Sequence, residues 1–403
     1  MMAAIAAAGH GRQVLLLERN EKLGKKLYIT GKGRGNLTNA SDIGEFFDKI
    51  STNSKFLYSA LYGFSNVMLL DFLSEYGFSW KTERGGRVFP TSDHASDITK
   101  ALTKALHVNG VEIRLGRRVK TLVTSGSNPN SIIGVQLSSG EVLSAGHVIV
   151  ATGGKSYPAT GSTGDGIEFA DTLGLKTKKA FPALVPFETL ESDIRALQGL
   201  TLRNVKLEIR KGGSCLVYDG FGEILFTHFG VSGPLVLAAS SKVTKDLAAG
   251  ETMDACIDLK PAISREQLDE RLQRHASDLR QKHFSHFFDG LVPGKLRHVL
   301  LERCGVSPDQ KICNLTRQER RSIVDLLKSF SFTVTGTRGF SEAIITQGGV
   351  CVKELNPMSM AVKRMKGLSF AGEVIDVDAL TGGYNMQIAF STGFAAGNAL
   401  AFQ

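Results

Sequence analysis

Residues 367–403 constrain the fold of this chain more than any other stretch. They read Gly-Leu-Ser-Phe-Ala-Gly-Glu-Val-Ile-Asp-Val-Asp-Ala-Leu-Thr-Gly-Gly-Tyr-Asn-Met-Gln and continue as a helix of small residues containing Gly-Phe-Ala-Ala-Gly-Asn-Ala. A short apolar strand, Leu368–Ala371, stops at Gly372-Glu373, an acid follows at Asp376, and Gly382-Gly383 opens the helix. The unpaired N–H groups of such a helix start carry partial positive charge and suit an anion or an electron-rich ring. The pattern predicts an α/β chain with its ligand at the carboxyl ends of parallel strands.

The N-terminus fits that frame when read backwards from Glu18. Val14-Leu15-Leu16-Leu17-Glu18 is an apolar run ending in an acid, as expected of a second Rossmann strand whose carboxylate takes a ribose hydroxyl, with Arg19 beside it. Met1–Gly9 is Ala-rich and predicts a helix, and His10–Gln13 the turn after it. The strand and Gly-x-Gly-x-x-Gly loop that open such folds are not in the sequence. The chain is therefore expected to be an N-terminally shortened form of a longer one, lacking a central strand of the order 3-2-1-4-5. No basic segment and long apolar run mark a signal peptide.

A chain of 403 residues predicts two or three domains. No apolar run approaches the ~20 residues of a membrane span, so no membrane partner is expected. Five cysteines at 215, 256, 304, 313 and 351 form no Cys-x-x-Cys pair. That pattern argues against a structural zinc, and an odd count fits a reducing cytoplasm. The net charge of +9 keeps an anionic substrate or RNA among the expected partners. Oligomeric state leaves no sequence signal.

Residues 1–182 read as α/β, with helical stretches at Lys55–Tyr76 and Ala95–Asn109. A three-stranded meander follows at Val111–Val123, Ile132–Leu137 and Glu141–Leu143, then a buried strand, His147–Ala151, ending on glycines. A β-module is expected over 183–261 and 331–345, with strands at Asn204–Arg210, Cys215–Tyr218 and Gly222–Phe226. Residues 262–330 predict a helical subdomain, and 346–403 return to the first domain.

Two glycine-rich loops carry the chemistry. Thr30-Gly31-Lys32-Gly33-Arg34-Gly35-Asn36-Leu37-Thr38-Asn39 offers close backbone approach to an anion, the donor fork of Arg34, and orienting groups at Asn36 and Thr38. It is not a P-loop, because Gly-x-x-x-x-Gly-Lys-Ser/Thr is absent. Ala151-Thr152-Gly153-Gly154-Lys155-Ser156-Tyr157-Pro158 and the glycines to Gly166 stand where open α/β sheets bind ligands. His283 and His286 have i,i+3 spacing but no carboxylate or Cys at ligand spacing, so no metal is expected. Lys353 and Lys363-Arg364-Met365-Lys366 form a basic stretch suited to an RNA backbone.

These loops, with Phe226-Thr227-His228-Phe229-Gly230-Val231-Ser232-Gly233-Pro234 and the closing Gly372-Glu373…Asp376…Thr381-Gly382-Gly383-Tyr384-Asn385, resemble the BaiN/YhiN-type flavoproteins, also labelled NAD(P)/FAD-dependent or aminoacetone-oxidase-family oxidoreductases. The resemblance covers essentially the whole chain. It implies a glutathione-reductase-type (two-dinucleotide) FAD-binding domain with an inserted β-module and helical subdomain. By the same resemblance Glu18 takes the adenosine ribose, Gly31, Gly33, Arg34 and Asn36 line the FAD, and Val119 lies on the adenine side. Ala151, Thr152, Gly153, Gly372, Glu373 and Asp376 are expected at the phosphate and ribityl parts. Asn385, Met386 and Gln387 are expected at the isoalloxazine edge, with Gly383 also cofactor-binding. Two departures stand out: the glycine fingerprint is absent, and Gly35 stands where many members carry Cys.

The activities implied are reductions of activated C=C bonds, in steroid-like enones of bile acids or in uridine of ribosomal RNA, with small-amine oxidation as a further alternative. A shortened flavoprotein that binds nothing is the non-enzymatic alternative. Hydride chemistry of this kind needs a proton donor and a carbonyl polariser. Tyr157, His228, Arg34 and Arg87 are the candidates, Tyr157 alternatively capping the Pro158 turn, His228 alternatively a buried structural residue and Arg87 alternatively part of a solvated hairpin. With no second nucleotide fingerprint, NAD(P)H is expected to dock transiently.

Overall fold

The computed structural model describes residues 1–402, which divide into two units: Met1–Pro182 with the segment from Phe340 onward, and Ala183–Gly339. Residues 340–345, expected in the insert, thus belong to the first unit.

In the first unit the apolar run before Glu18 forms the strand Leu15–Leu17, parallel to Glu112–Arg114 with Leu15 opposite Glu112. Val148–Val150 pairs in parallel with Leu368–Phe370. Among the described residues no strand pairs with the other edge of Leu15–Leu17 or of Val148–Val150. The stretch read as one strand, Val111–Val123, is two. It breaks around Gly116, whose left-handed backbone (φ +67) turns the chain out of the parallel pair and into the meander strand Val119–Thr124. This turn is tied back to the end of the first strand, because Gly116 N–H donates to Asn20 O and Arg117 N–H to Glu18 O. Val119–Thr124, Ile132–Leu137 and Val142–Ser144 then form the antiparallel meander.

The Ala-rich helix Met2–Ala8 packs against Tyr384–Asn398, where small residues on both sides allow close approach. Ser54–Glu75 has the length and mean hydropathy (1.3) of a membrane span. It is divided, however, into a 3-10 turn, Ser54–Leu57, and two helices, Tyr58–Gly63 and Asn66–Glu75. Ser65 starts the second by accepting the N–H of Met68, and Leu57, Leu61, Leu69 and Leu73 are buried in the core.

The second unit is a closed six-stranded barrel. Around it run Phe187–Thr189, Gly230–Ser232, Cys215–Thr227, Thr201–Lys211, Met253–Asp258 and Phe330–Thr337. Cys215–Thr227 is one strand of 13 residues, not the two short ones its glycines suggest, since pairing with Thr201–Lys211 runs through Gly220 and Gly222. Helices Arg265–Asp278 and Arg317–Lys328 each begin with a capping box, Ser264/Gln267 and Thr316/Glu319. Leu268, Leu272, Ile323 and Leu327 join the barrel residues in one continuous apolar core. His283 caps the 3-10 turn Phe284–His286 that His286 ends; they bond Asp309 O and Asp289, and the described residues hold no metal-ligating cluster.

Candidate active site

The segments that follow the parallel strands of the first unit converge. Leu15–Leu17 delivers Glu18, whose Oε1 accepts from the backbone and side-chain N–H groups of Asn20 at 2.9 and 2.8 Å. Among the described residues no hydrogen bond reaches Glu18 Oε2. Asn20 in turn donates to Thr160 O at 2.9 Å, joining this strand end to the loop after Val148–Val150. Arg19 reaches the same loop through Gly161 O, Thr163 Oγ1 and Asp165. Val119 begins the meander half-buried.

After the buried Val150 the chain surfaces at Ala151 and Thr152, turns at Gly153 (φ +73), and buries Ser156 completely. Ser156 Oγ donates to Glu373 Oε1 at 2.7 Å, and the backbone N–H of Thr346 donates to the same oxygen at 2.8 Å. Glu373 Oε2 accepts from Lys26 Nζ at 2.9 Å, and Lys26 also bonds Ser156 Oγ. Glu373 is thus anchored on both oxygens at the end of Leu368–Phe370, while Gly372 N–H is taken by Thr392 Oγ1.

The glycine loop 30–39 bends through left-handed conformations at Gly31, Lys32, Gly33 and Gly35 and leaves Gly31–Gly33 exposed. Asn36, in the amide orientation that satisfies both ends, accepts from Gly383 N–H at 3.1 Å. Gly383 can be nothing else: a β-carbon there would lie 2.2 Å from Thr38 O. The helix Tyr384–Asn398 has no side-chain cap, and its hydrogen-bond ladder starts only with Gln387 donating to Gly383 O. The N–H groups of Tyr384, Asn385 and Met386 precede that ladder.

Four expected ligands are engaged by the protein itself. Asp376 is 2 % exposed, and its Oδ2 accepts from Asn53 at 3.0 Å and pairs with Lys178 at 3.1 Å, so it braces the fold instead of facing a cofactor. Gln387 is fully buried, its amide saturated by Thr38 Oγ1, Phe64 O and Ser391 Oγ. Asn385 locks the preceding loop by bonding Ala379 on both sides, and Met386 packs on the helical core.

Arg34 is likewise committed. Its guanidinium bonds Glu83, meets Asp93 from Nε at 2.9 Å, and lies 4.3 Å over the Phe89 ring. The Glu83 bonds, then those of Asp93, push the Arg34 pKa further up. Bonds from Lys81 and Arg34 hold the Asp93 carboxyl below its ordinary range. The fork expected to grip a ligand anion is occupied by protein carboxylates. Arg87 is exposed on the hairpin Trp80–Glu83/Arg87–Pro90 and donates to Arg84 O.

Tyr157 stands in a left-handed conformation (φ +51), rare for a bulky residue, with its N–H on Phe340 O and its carbonyl capping the turn at Thr160. Burial, then the Glu342 charge, raises its phenol above the usual value of 10.0. His228 belongs to the other unit and is exposed, edge-on to Phe229, not buried. Ser156 lies in the second glycine-rich loop but draws no role of its own from the sequence, and Lys26 and Thr346 carry no motif.

Residues 1–399 match the model of the HI0933-like protein Rossmann domain. The chain is 31 % identical to a 3-dehydro-bile acid delta(4,6)-reductase of Clostridium scindens, covering 100 % of this chain and 96 % of that protein. It is 29 % identical to the ribosomal RNA dihydrouridine synthases of Haemophilus influenzae and Escherichia coli, covering 98 % of this chain and 94 % of each. In fold it is similar to 3-ketosteroid-delta4-(5alpha)-dehydrogenase from Rhodococcus jostii, with a TM-score of 0.53 at 16 % identity over 100 % of this chain and 94 % of that one. Parallel strands that end on Glu18, Gly153 and Glu373, and a whole-length family match, lead to one assignment: the chain belongs to the HI0933-like Rossmann family and is an FAD-dependent oxidoreductase.

Proposed function

We propose that the protein reduces an activated C=C bond of a small molecule, a steroid- or bile-acid-like enone. The observation that carries this reading is the full-length similarity to a protein named as a bile-acid delta(4,6)-reductase. FAD, when bound, supplies the two-electron carrier.

The residues fit that cofactor. Glu18 Oε2 is free for a ribose diol while Oε1 is pinned by Asn20. The first-turn N–H groups of Tyr384, Asn385 and Met386 suit an anion or the electron-rich edge of a ring. The exposed backbone of Gly31–Gly33 and of Ala151–Thr152 allows close approach. Tyr157 is the proton donor in this reading: its O–H is intact at neutral pH, and burial with the Glu342 charge shifts its pKa further up. NAD(P)H, docking transiently, is the proposed source of electrons.

A second reading, reduction of uridine in ribosomal RNA, is favoured by the two relatives so named and by the net charge of +9. Both readings are tested by reducing the bound flavin anaerobically and following its reoxidation. Reoxidation by a dienone steroid but not by an unmodified ribosomal RNA transcript supports the first; the reverse supports the second. Failure of both substrates, with a small amine reducing the oxidised flavin and oxygen rapidly reoxidising it, overturns both.

A further inference from the structure

Several cations around the converging strand ends are paired with carboxylates. Arg34 is held by Glu83 and Asp93, Arg19 and Arg118 by Asp165, and Lys178 by Asp376. Lys26 is paired too, and its partner, Glu373, stands at the carboxyl end of a parallel strand, in the turn after Leu368–Phe370.

The cluster is built, not incidental. It joins four segments far apart in sequence: the helix Lys25–Ile29, the loop at Ser156, the strand Ile345–Val350 through Thr346, and the turn at Glu373. Ser156 and Thr346 are fully buried, and Thr346 Oγ1 accepts the N–H groups of Lys155 and Ser156 at 2.7 and 3.0 Å. Gly154 admits the whole arrangement, since a β-carbon there would lie 2.3 Å from Thr346 Oγ1 and 3.0 Å from Glu373 Oε1. Lys26 and Glu373 keep 26 % and 20 % of their side chains in contact with solvent, so the ion pair is the open face of an otherwise closed network.

The carboxylate of Glu373, expected at the phosphate and ribityl parts of FAD, sets a negative charge against an anionic ligand unless a cation balances it. We propose that Lys26 is the charge-balancing positioning residue of the FAD site: its Nζ holds Glu373 and Ser156 in one orientation and cancels the carboxylate charge that the pyrophosphate would otherwise meet. This rests on the FAD-site reading above. The local charge of the Lys26–Glu373 pair is zero in the wild type and in K26M/E373Q, −1 in K26M and +1 in E373Q.

The test is the dissociation constant of the FAD-free protein for FAD and for riboflavin, which lacks phosphate, in wild type, K26R, K26M, E373Q and K26M/E373Q, with a melting curve for each. The expected order of FAD affinity is E373Q at or above wild type, the double variant near wild type, and K26M weakest by about tenfold or more. K26R should stay within about threefold of wild type, and riboflavin affinity should change little throughout. Equal losses for FAD and riboflavin, or a double variant no better than K26M, would overturn the proposal and leave Lys26 a structural residue. If K26M does not fold, the order of E373Q, wild type and the double variant still decides. A wild type that binds FAD no better than riboflavin would instead sink the FAD-site reading itself.

Discussion

Gly35 lies against Ala95 so closely that a side chain has no room. A β-carbon on Gly35 would sit 2.9 Å from Ala95 Cα and 2.8 Å from Ile98 Cδ1, and the backbone there is left-handed at φ +79. The start of the helix Ser96–Val108 presses on the glycine loop, with Ala95 N–H donating to Gly33 O at 3.2 Å. A cysteine, which the resemblance leads one to expect at this position, would have to move both segments. Gly35→Cys should therefore destabilise the protein by about 2–4 kcal/mol, from overpacking together with an unfavourable φ. Urea unfolding measures it, and a loss under about 0.5 kcal/mol would mean the loop yields freely.

Asp165 links two strand ends by ions. Burial opposes its ionisation, but hydrogen bonds from Arg118 and Thr163 and the charges of Arg118 and Arg19 outweigh it, holding the carboxyl below its ordinary value of 3.8. A depressed carboxyl means the unfolded chain binds the extra proton first. The stabilisation is fully present above pH 3.8 and is lost as pH falls through the lower folded value. Asp165→Asn should flatten the acid side of the stability profile below pH 4 and cost about 1 kcal/mol at neutral pH, since Arg118 is half exposed and screened. Thermal melts at pH 2–7 check both; an unchanged acid slope would rule the carboxylate out as its source.

Tyr157 offers a kinetic test. If its phenol delivers the proton, Tyr157→Phe lowers kcat by about 10²-fold or more while FAD affinity and melting temperature stay near wild type. The donor must be protonated, and its pKa is raised above 10.0, so the alkaline limb of kcat should lie above pH 10 and vanish in the variant. A Phe variant with wild-type kcat would leave Tyr157 only its turn-capping role through Thr160.

What the sequence makes legible follows the range of the interaction. An apolar run closed by an acid is a local signal, and Leu15–Leu17 with Glu18 at its end follows from it directly. The partners of the site residues are not local. Arg34 meets carboxylates 49 and 59 residues away, and Lys26 meets Glu373 across 347. No spacing rule in a single sequence reveals such pairs, so Arg34 reads as a free fork and Lys26 draws no reading at all. Gln387 misleads for the same reason, because the carbonyl that consumes its amide belongs to Phe64. Gly220 and Gly222 predict a break in the barrel strand, yet ladder pairing on both sides of them outweighs the local preference. Gly116, which has no such partner strand across it, does break the chain.

Glu18 gives the sharpest test of the cofactor geometry, because its two oxygens are so unequal. Oε1 is held by both N–H groups of Asn20, which orients the carboxylate and leaves Oε2 for a ligand. A pair of ribose hydroxyls donating to that oxygen makes charge-assisted bonds worth about 1.5–3 kcal/mol each. Glu18→Ala should then weaken FAD by about tenfold or more. FMN carries the same flavin and one phosphate but no adenosine ribose, so its affinity should move by less than about twofold. Asn20→Ala provides the companion measurement: it frees Oε1 but releases the carboxylate from its fixed orientation, so FAD should weaken less than in Glu18→Ala and FMN again not at all. Titration of the FAD-free variants with each nucleotide reads the difference. Equal losses for FAD and FMN in Glu18→Ala would show that the strand end has collapsed; no loss for either would remove Glu18 from the cofactor site.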